Sequence, residues 1–208
     1  KFLALKSYHF TPRKVALADL EMIENVFDTD KLLFTAFKSI LLAFNTGGGV
    51  LVPHTYYMPA MKKDFLHLSM QEKVQEAVLS DLLPGLPMVN IYSVVKDLLG
   101  FLRKEFSTDL VIHANSALLQ SYPLDLDFSA ADGVAFVEVD QHTFTATVYA
   151  AGKLLIQQEC DYQAGLDVVY TLVNILRQLG LDEQLVKVKL GGVVATDAGV
   201  YQEMYKFM

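Results

Sequence analysis

The strongest constraint on the fold of this chain is a run of three strand-like segments in its second half. Apolar and polar residues alternate with a period of two through Gly133–Asp140, His142–Ala150 and Lys153–Asp161. Gly152-Lys153 is typical of a tight turn between antiparallel strands, because glycine readily adopts the positive φ that such turns need. The pattern therefore predicts three consecutive antiparallel strands in one sheet.

A helix, a strand and a second helix follow these strands in the sequence. Apolar residues recur at helical spacing over Gln163–Leu179, and Gly180 stands where a helix is expected to end. Leu185–Leu190 predicts a buried strand that runs into Gly191-Gly192, and Asp197 is predicted to begin a last helix. The second half thus predicts a mixed sheet with helices packed against it.

The first half repeats this order less regularly. Strand-like and helix-like segments alternate up to Tyr122, and we interpret the acidic segment 123–132 as the crossing between two halves. Two apolar runs flank Thr46–Gly49, which we interpret as a hairpin with glycines in its turn. A phosphate-cradling loop is the alternative, but no Lys-Ser/Thr pair follows the glycines, and Val50–Val52 continues as a strand.

The composition of the 208-residue chain limits its class of function. Acidic residues outnumber basic ones by 24 to 17, and the net charge of −7 argues against nucleic acid as the main partner, because phosphate binding needs a basic surface. No apolar run is long enough for a transmembrane helix. The single cysteine, Cys160, excludes an intrachain disulfide and indicates a reducing, cytoplasmic location. The five histidines lack metal-ligand spacing, so no metal site is predicted.

The second half, with three hairpin-linked strands, a long helix, a strand, a Gly-Gly turn and another helix, resembles a lobe of the actin-like ATPases, a superfamily that includes sugar kinases, heat-shock chaperones and actin. This resemblance covers Gly133–Met208 best. Three shorter segments are also informative: VLVPHTYYM (50–58), IHANSALL (112–119) and the VEVD…GKLL block (137–155). More narrowly, these segments resemble an uncharacterised family from Bacteroidetes with this fold. The resemblance implies an α/β protein with two actin-like (ribonuclease H-like) lobes, each a mixed β-sheet flanked by helices.

The resemblance also implies the limits of the two lobes. Residues 1–122 would form the first lobe, which lacks its first strands in the residues shown. Residues 133–208 would form the second lobe, incomplete at its C-terminal end, with 123–132 as the crossing segment. Because actin-like lobes are duplicated units, the first half is expected to superpose at least partly on the second.

The nucleotide site of the active families corresponds to two places in this sequence. In those families the turn after the first strand of each lobe reads Asp-x-Gly, and the glycine lets backbone amides approach phosphate oxygens. Here the second-lobe turn reads DQHT (140–143), so His142 occupies the glycine position. Asp140, His142 and Thr143 are therefore the candidate phosphate-binding residues, with Asp140 also the candidate catalytic residue. Gly191 and Gly192 correspond to the glycines that contact adenosine.

The sequence leaves two hypotheses of function open. The first is a non-catalytic or weakly nucleotide-binding scaffold that acts through a protein partner, and it is favoured because His142 would block close approach of a phosphate to the backbone. The second is an ATPase or small-molecule kinase that binds Mg-ATP in the cleft between the lobes, with Asp140 on the Mg²⁺-bound phosphate.

A Ser/His pair is a further, weaker enzymatic candidate. Ser116 follows His113 by three residues, but the sequence has no Gly-x-Ser-x-Gly elbow around a nucleophile. We interpret His113 as a buried residue at a strand end and Asn115 as the N-cap of a short helix.

Overall fold

The computed structural model describes residues 5–8, 16–72, 74–125, 133–194 and 199–207. Its α-helices are α1 (Ala16–Thr29), α2 (Lys62–His67), α3 (Lys96–Phe106), α4 (Ala114–Ser121), α5 (Gly165–Gln178) and α6 (Gly199–Phe207). Its strands are β1 (Leu42–Phe44), β2 (Val50–Pro53), β3 (Glu76–Leu82), β4 (Met88–Val95), β5 (Val111–His113), β6 (Gly133–Val139), β7 (Thr143–Ala150), β8 (Lys153–Asp161) and β9 (Val186–Gly192). Within these ranges, no helix has both the length and the apolar character that crossing a bilayer requires.

The second half forms one four-stranded sheet in the order β8-β7-β6-β9. β6, β7 and β8 are antiparallel neighbours, whereas β9 lies parallel to β6, with Val139 opposite Gly192. α5 ends at Gln178, and Gly180, two residues later, has the positive φ of +72° that is typical of a residue after a helix end. The predicted order of three antiparallel strands, helix and fourth strand is confirmed.

The central strands β6 and β7 are buried on both faces. On one face, Val137 packs with Leu172 and Leu176 of α5. On the other face, Phe136 and Tyr149 pack with Tyr122, whose ring stacks on Phe136 with the centroids 3.9 Å apart. Such a ring pair adds roughly 0.5–1.5 kcal/mol beyond the burial of its area. Because Tyr122 follows α4, the first half of the chain covers the second face of this sheet.

The first half contains two smaller sheets. β4 lies between β2 and β3 in an antiparallel sheet, and β1 pairs in parallel with β5. α3 packs over this part of the chain through Leu99, and α2 does so through Leu66, which is almost fully buried beside Val78. In the antiparallel sheet of the first half, the central strand β4 comes last of the three strands in the sequence. Among the three antiparallel strands of the second half, the central strand β7 comes second in the sequence. The superposition of the two halves therefore stays a prediction.

The hairpin predicted around Thr46–Gly49 is wrong. β1 and β2, which flank these residues, pair with β5 and β4 respectively and not with each other. Gly47 and Gly48 have φ angles of +69° and +46°, and they redirect the chain from one sheet to the other. Period-two alternation identifies both strands, but it carries no information about partners that are distant in the sequence.

Two other predicted boundaries fall differently in the structure. The N-cap of α4 is His113 and not Asn115, because the His113 Nδ1 accepts the Asn115 N–H at 3.1 Å. Tyr122–Asp125 forms a 3-10 turn at the start of the predicted crossing segment. Asp197 and residues 126–132 of that segment lie outside the described residues, and α6 is described from Gly199.

Gly192 allows β9 to approach β6 closely. Its φ is +86°, and a Cβ at this position would lie 2.1 Å from the carbonyl oxygen of Val139. The Val193 N–H donates to that same carbonyl at 2.7 Å. The backbone of the sheet therefore requires a glycine at 192, whatever ligand the protein binds.

We expect Gly192→Ala to destabilise the protein, because the added Cβ would overlap the Val139 carbonyl and because alanine disfavours a positive φ. The free energy of unfolding, measured by urea denaturation, should fall by on the order of 2–4 kcal/mol. Gly100→Ala is the control. Gly100 lies inside α3, and outside its own helix backbone no described atom is within 4 Å of an added Cβ. That change should stabilise the protein by about 0.5–1 kcal/mol. A Gly192→Ala variant as stable as the unchanged protein would contradict the close approach.

Candidate functional site

A cleft of about 320 Å³ lies between the two halves of the chain. The first half contributes residues from the glycine-rich segment after β1 and from α4, and the second half contributes residues from β6, β7, β8 and the end of β9. The lining residues are Asn45, Gly47, Ala114, Asn115, Leu118, Glu138, Val139, Asp140, Thr143, Thr145, Glu159, Gly192 and Val193. The cleft therefore stands where strand ends and glycine-containing turns from both halves meet.

The turn from Asp140 to Thr143 is closed by its own hydrogen bonds. The Asp140 N–H donates to the Thr143 carbonyl at 2.8 Å, and the Gln141 N–H donates to Oδ1 of Asp140 at 2.7 Å. The Tyr162 hydroxyl donates to the Asp140 carbonyl at 2.7 Å, which ties the turn to the end of β8. Because the Gln141 amide already has a carboxylate partner, it offers no free donor to a phosphate oxygen.

The structure brings together part of the predicted phosphate site. Asp140 and Thr143 line the cleft, and Gly192 lies beside them. His142 is exposed and is not among the lining residues, although its carbonyl accepts the Tyr162 N–H at 3.0 Å. The roles predicted for Asp140, His142 and Thr143 stay predictions.

A backbone amide of the glycine-rich segment after β1 binds a side-chain carboxylate of the protein. The Gly48 N–H donates to Oε2 of Glu159 on β8 at 2.7 Å. Nearby, the Asn45 Nδ2 lies 3.5 Å from Oδ2 of Asp140. Both contacts join the first half to the second. A backbone amide of the kind that cradles phosphates in other proteins is thus occupied by a side-chain carboxylate.

The charge of the cleft is negative. Glu138, Asp140 and Glu159 supply three carboxylates, and no Lys or Arg is among the described residues that line the cavity. Glu138 accepts a hydrogen bond from the Tyr122 hydroxyl at 3.0 Å. Burial, followed by the charge of Glu138, raises the pKa of Tyr122 above its ordinary range, so the hydroxyl remains a donor. Neutral hydroxyl and amide groups therefore donate to all three carboxylates, and Lys189 lies with Glu138 in the lining of a neighbouring cavity.

The Gly191-Gly192 pair has a packing explanation in this structure. A Cβ on Gly191 would lie 2.3 Å from Oε2 of Glu138, so the absent side chain leaves room for that carboxylate. Gly192 is required by the Val139 backbone, as described above. These contacts account for both glycines, and the adenosine contact suggested by the resemblance stays a prediction.

His113 and Ser116 are both fully buried, but they use their polar atoms separately. Nδ1 of His113 accepts the Asn115 N–H, and Oγ of Ser116 accepts from Nδ2 of Asn90 at 2.8 Å. A nucleophile needs its base within hydrogen-bond reach and needs access to substrate. Neither condition holds here, so the pair belongs to the core.

Several residues of the cleft were not identified from the sequence. Asn45, Glu138 and Glu159 carry its polar contacts, and Asn115 and Thr145 add neutral polar groups although each residue is more than nine-tenths buried. The available signal was weak: Asn45 follows a strand and precedes glycines, which is typical of a ligand-facing turn as well as of a structural one. Glu159 lies on an edge strand, and only the folding of the two halves brings it to the glycines.

Comparison with known proteins identifies relatives of unknown function. The profile of the family described as "Protein of unknown function (DUF3822)" matches residues 1–208. Among solved structures, the chain is similar to a Bacteroides thetaiotaomicron protein with actin-like ATPase fold and unknown function. The TM-score is 0.80 at 16% sequence identity, and the match covers 89% of this chain and 72% of that protein. No curated protein matches the sequence. The predicted actin-like α/β fold and the resemblance to an uncharacterised family are confirmed.

We expect the protein to lose stability as the pH falls below about 6.5, in part because of His113. Burial lowers the pKa of His113 below its ordinary value, and the nearby Asp81 carboxylate opposes this shift. The unfolded chain then binds more protons than the folded chain at acidic pH, so the His113 contribution is present above the unfolded pKa and is lost on acidification. The measurement is the free energy of unfolding by urea between pH 7.5 and pH 5, values that bracket the ordinary histidine pKa of about 6.5.

His113→Asn should have a shallower dependence of stability on pH. Asparagine retains an N-cap acceptor for α4 but has no proton to gain. Its overall stability is expected to be lower because the side chain is smaller, so the slope and not the absolute value is the readout. His54→Asn, at an exposed position, is the control and should keep the original slope. An unchanged slope in His113→Asn would show that other groups cause the acid sensitivity.

Proposed function

We propose that this chain, which belongs to the DUF3822 family of proteins of unknown function, is a non-catalytic or weakly nucleotide-binding scaffold that acts through a protein partner. One observation carries the proposal: the cleft where related folds place a nucleotide is lined by three carboxylates, with no Lys or Arg among the described lining residues. The actin-like fold supplies the position of the cleft, and the side chains within it decide what it accepts.

The carboxylates of the cleft would repel a triphosphate. A triphosphate would have to enter beside Glu138, Asp140 and Glu159. Two like charges about 6 Å apart repel each other by roughly 3 kcal/mol at an effective dielectric constant of 20. One Mg²⁺ bound to the triphosphate offsets part of this repulsion, but several carboxylates act together. Active phosphate sites instead present free backbone amides, lysine or arginine to the phosphate.

Two backbone amides that are already hydrogen-bonded to carboxylates also weaken phosphate binding. The Gly48 N–H and the Gln141 N–H already donate to Glu159 and Asp140, two of the carboxylates that line the cleft. A phosphate would have to displace a carboxylate from each of them. A charge-assisted hydrogen bond contributes roughly 1.5–3 kcal/mol, so each exchange returns little net affinity.

The alternative function is an ATPase or small-molecule kinase. In that case Asp140 would hold a Mg²⁺-bound phosphate, Thr143 would donate its hydroxyl, and Gly191 and Gly192 would lie under adenosine. The placement of Asp140, Thr143 and Gly192 around one cleft supports this alternative. It requires Mg²⁺ to neutralise the carboxylates as well as the phosphates.

The scaffold proposal includes a division of the chain. Residues 1–122 are proposed as the first lobe and 133–208 as the second, with 123–132 as the crossing segment. A cytoplasmic location is proposed for the protein. A protein partner needs accessible apolar surface. Such surface is present on α6, where Tyr205 and Phe207 are 82% and 57% exposed.

Titration calorimetry with Mg-ATP on the full chain tests the proposal. We expect no binding at micromolar concentrations to the unchanged protein. Micromolar binding that is lost in Asp140→Ala would establish the ATPase or kinase alternative. Binding that is lost in His142→Ala, with Asp140→Ala unaffected, would assign the phosphate contact to the imidazole.

A charge-neutral variant tests the cause of weak binding. Glu138→Gln combined with Glu159→Gln keeps the shape of both side chains and removes two negative charges. Mg-ATP affinity should rise by about tenfold or more, which corresponds to about 1.4 kcal/mol. Glu105→Gln, an exposed change on α3, removes one charge away from the cleft and should leave affinity unchanged. No gain in the double variant would show that electrostatic repulsion is not what limits nucleotide binding.

A further inference from the structure

We propose that His67, Glu72 and Glu76 form a binding site for a divalent transition-metal ion, with Zn²⁺ as the best match. One imidazole nitrogen of His67 and one carboxylate oxygen each of Glu72 and Glu76 lie within 4.8 Å of one another. Nε2 of His67 and Oε1 of Glu76 are 2.6 Å apart. The site is separate from the cleft between the halves, because none of the three residues lines that cavity.

The fold holds two of these residues in fixed positions. His67 is the last residue of α2, and the end of this helix is secured by the Leu68 N–H, which donates to the Asp64 carbonyl at 3.1 Å. Glu76 is the first residue of β3 and pairs with Val95 of β4. α2 is anchored beside β3 by Leu66, which is 1% exposed. The separation of His67 and Glu76 is thus set by packing.

The described residues after α2 bring one carboxylate oxygen of Glu72 close to His67 and Glu76. The Met70 N–H donates to the Leu66 carbonyl at 3.0 Å, which continues the turn after α2. Gln75 has a φ of +59°, and its carbonyl accepts the Lys96 N–H at 2.8 Å. Glu72 itself is exposed, so its side chain can move to complete a coordination shell.

Burial at the site favours a positive charge. The side chain of Glu76 is 6% exposed and that of His67 is 22% exposed. Glu76 already contacts Nε2 of His67, and a carboxylate buried to this extent is also well suited to a cation. A metal ion would supply two positive charges at the end of Glu76 that faces His67, and one side of the site would remain open to solvent through Glu72.

The geometry fits a tetrahedral ion after small movements. With metal–ligand distances of about 2.1 Å, two donors in a tetrahedral shell lie roughly 3.4 Å apart. The His67–Glu76 pair would therefore open slightly, and Glu72 would move inward. Three protein ligands leave a fourth position for water. One imidazole and two carboxylates suit Zn²⁺ and similar first-row ions better than Mg²⁺ or Ca²⁺, which prefer shells of oxygen alone.

The experiment is a calorimetric titration of the full chain with ZnCl₂ after removal of bound metal by a chelator. We expect one saturable site per chain and a rise in Tm on saturation, because an ion that binds only the folded state stabilises it. MgCl₂ at the same concentrations should give neither signal. Substitution with Co²⁺ should give a visible absorption band of a low-symmetry site with oxygen and nitrogen ligands.

Two variants identify the ligands. Glu72→Gln changes an exposed side chain, so folding should be retained, and Zn²⁺ affinity should fall about tenfold or more. His67→Gln should abolish the site and change the Co²⁺ spectrum. Asp64→Asn is the matched control, because Asp64 is an exposed acid on the same helix outside the cluster, and its Zn²⁺ affinity should be unchanged.

Two results would overturn the proposal. The first is the absence of saturable Zn²⁺ binding to the unchanged chain. The second is binding that persists with full affinity in both Glu72→Gln and His67→Gln, which would place the ion elsewhere. Circular dichroism of each variant establishes that it is folded, and Glu72→Gln by itself decides the outcome if His67→Gln does not fold.

Discussion

The second buried face of β6 and β7 is the constraint on which the rest of this structure depends. A strand that is buried on both faces needs cover from two sides, and α5 with α6 supplies only one of them. Tyr122 and Leu118 from the first half supply the other, by packing on Phe136 and Tyr149. Burial raises the pKa of Tyr149 to about 12, as expected for a hydroxyl removed from water. The two halves are therefore joined by core packing, and the cleft is formed beside this contact.

The same junction explains why the cleft is acidic. Once the halves are packed together, Glu159 of β8 reaches the glycine-rich segment after β1, and its carboxylate accepts a hydrogen bond from the Gly48 amide. Asp140 likewise binds the amide of Gln141 in its own turn. These carboxylates and amides thus stabilise the packing of the two halves and the turn at Asp140. The fold places the cleft, and the side chains within it decide its chemistry, which is the general relation between fold and function.

Predictions from the sequence succeeded where the signal was local. The alternation over Gly133–Asp161 and the helical period after it identified one complete sheet and its helix, because both depend on neighbouring residues only. The hairpin at Thr46–Gly49 failed because strand pairing depends on residues far away in the sequence. The cleft was found in part: Asp140 and Thr143 follow a recognisable strand, whereas Glu159 and Asn115 reach the site only through tertiary packing. His67, Glu72 and Glu76 have no motif spacing, since a turn of the chain brings them together.

The sequence by itself determined the class of the fold, the order of strands and helices in the second half, the position of the turn at Asp140 and the negative net charge. These follow from periodicity, glycine conformations and composition, which are properties of short segments or of the whole chain. Only the tertiary structure decided which strands pair, which face of the second sheet the first half covers, and which carboxylates meet at the cleft. Those outcomes depend on burial and on contacts between distant residues, and local patterns carry no record of either.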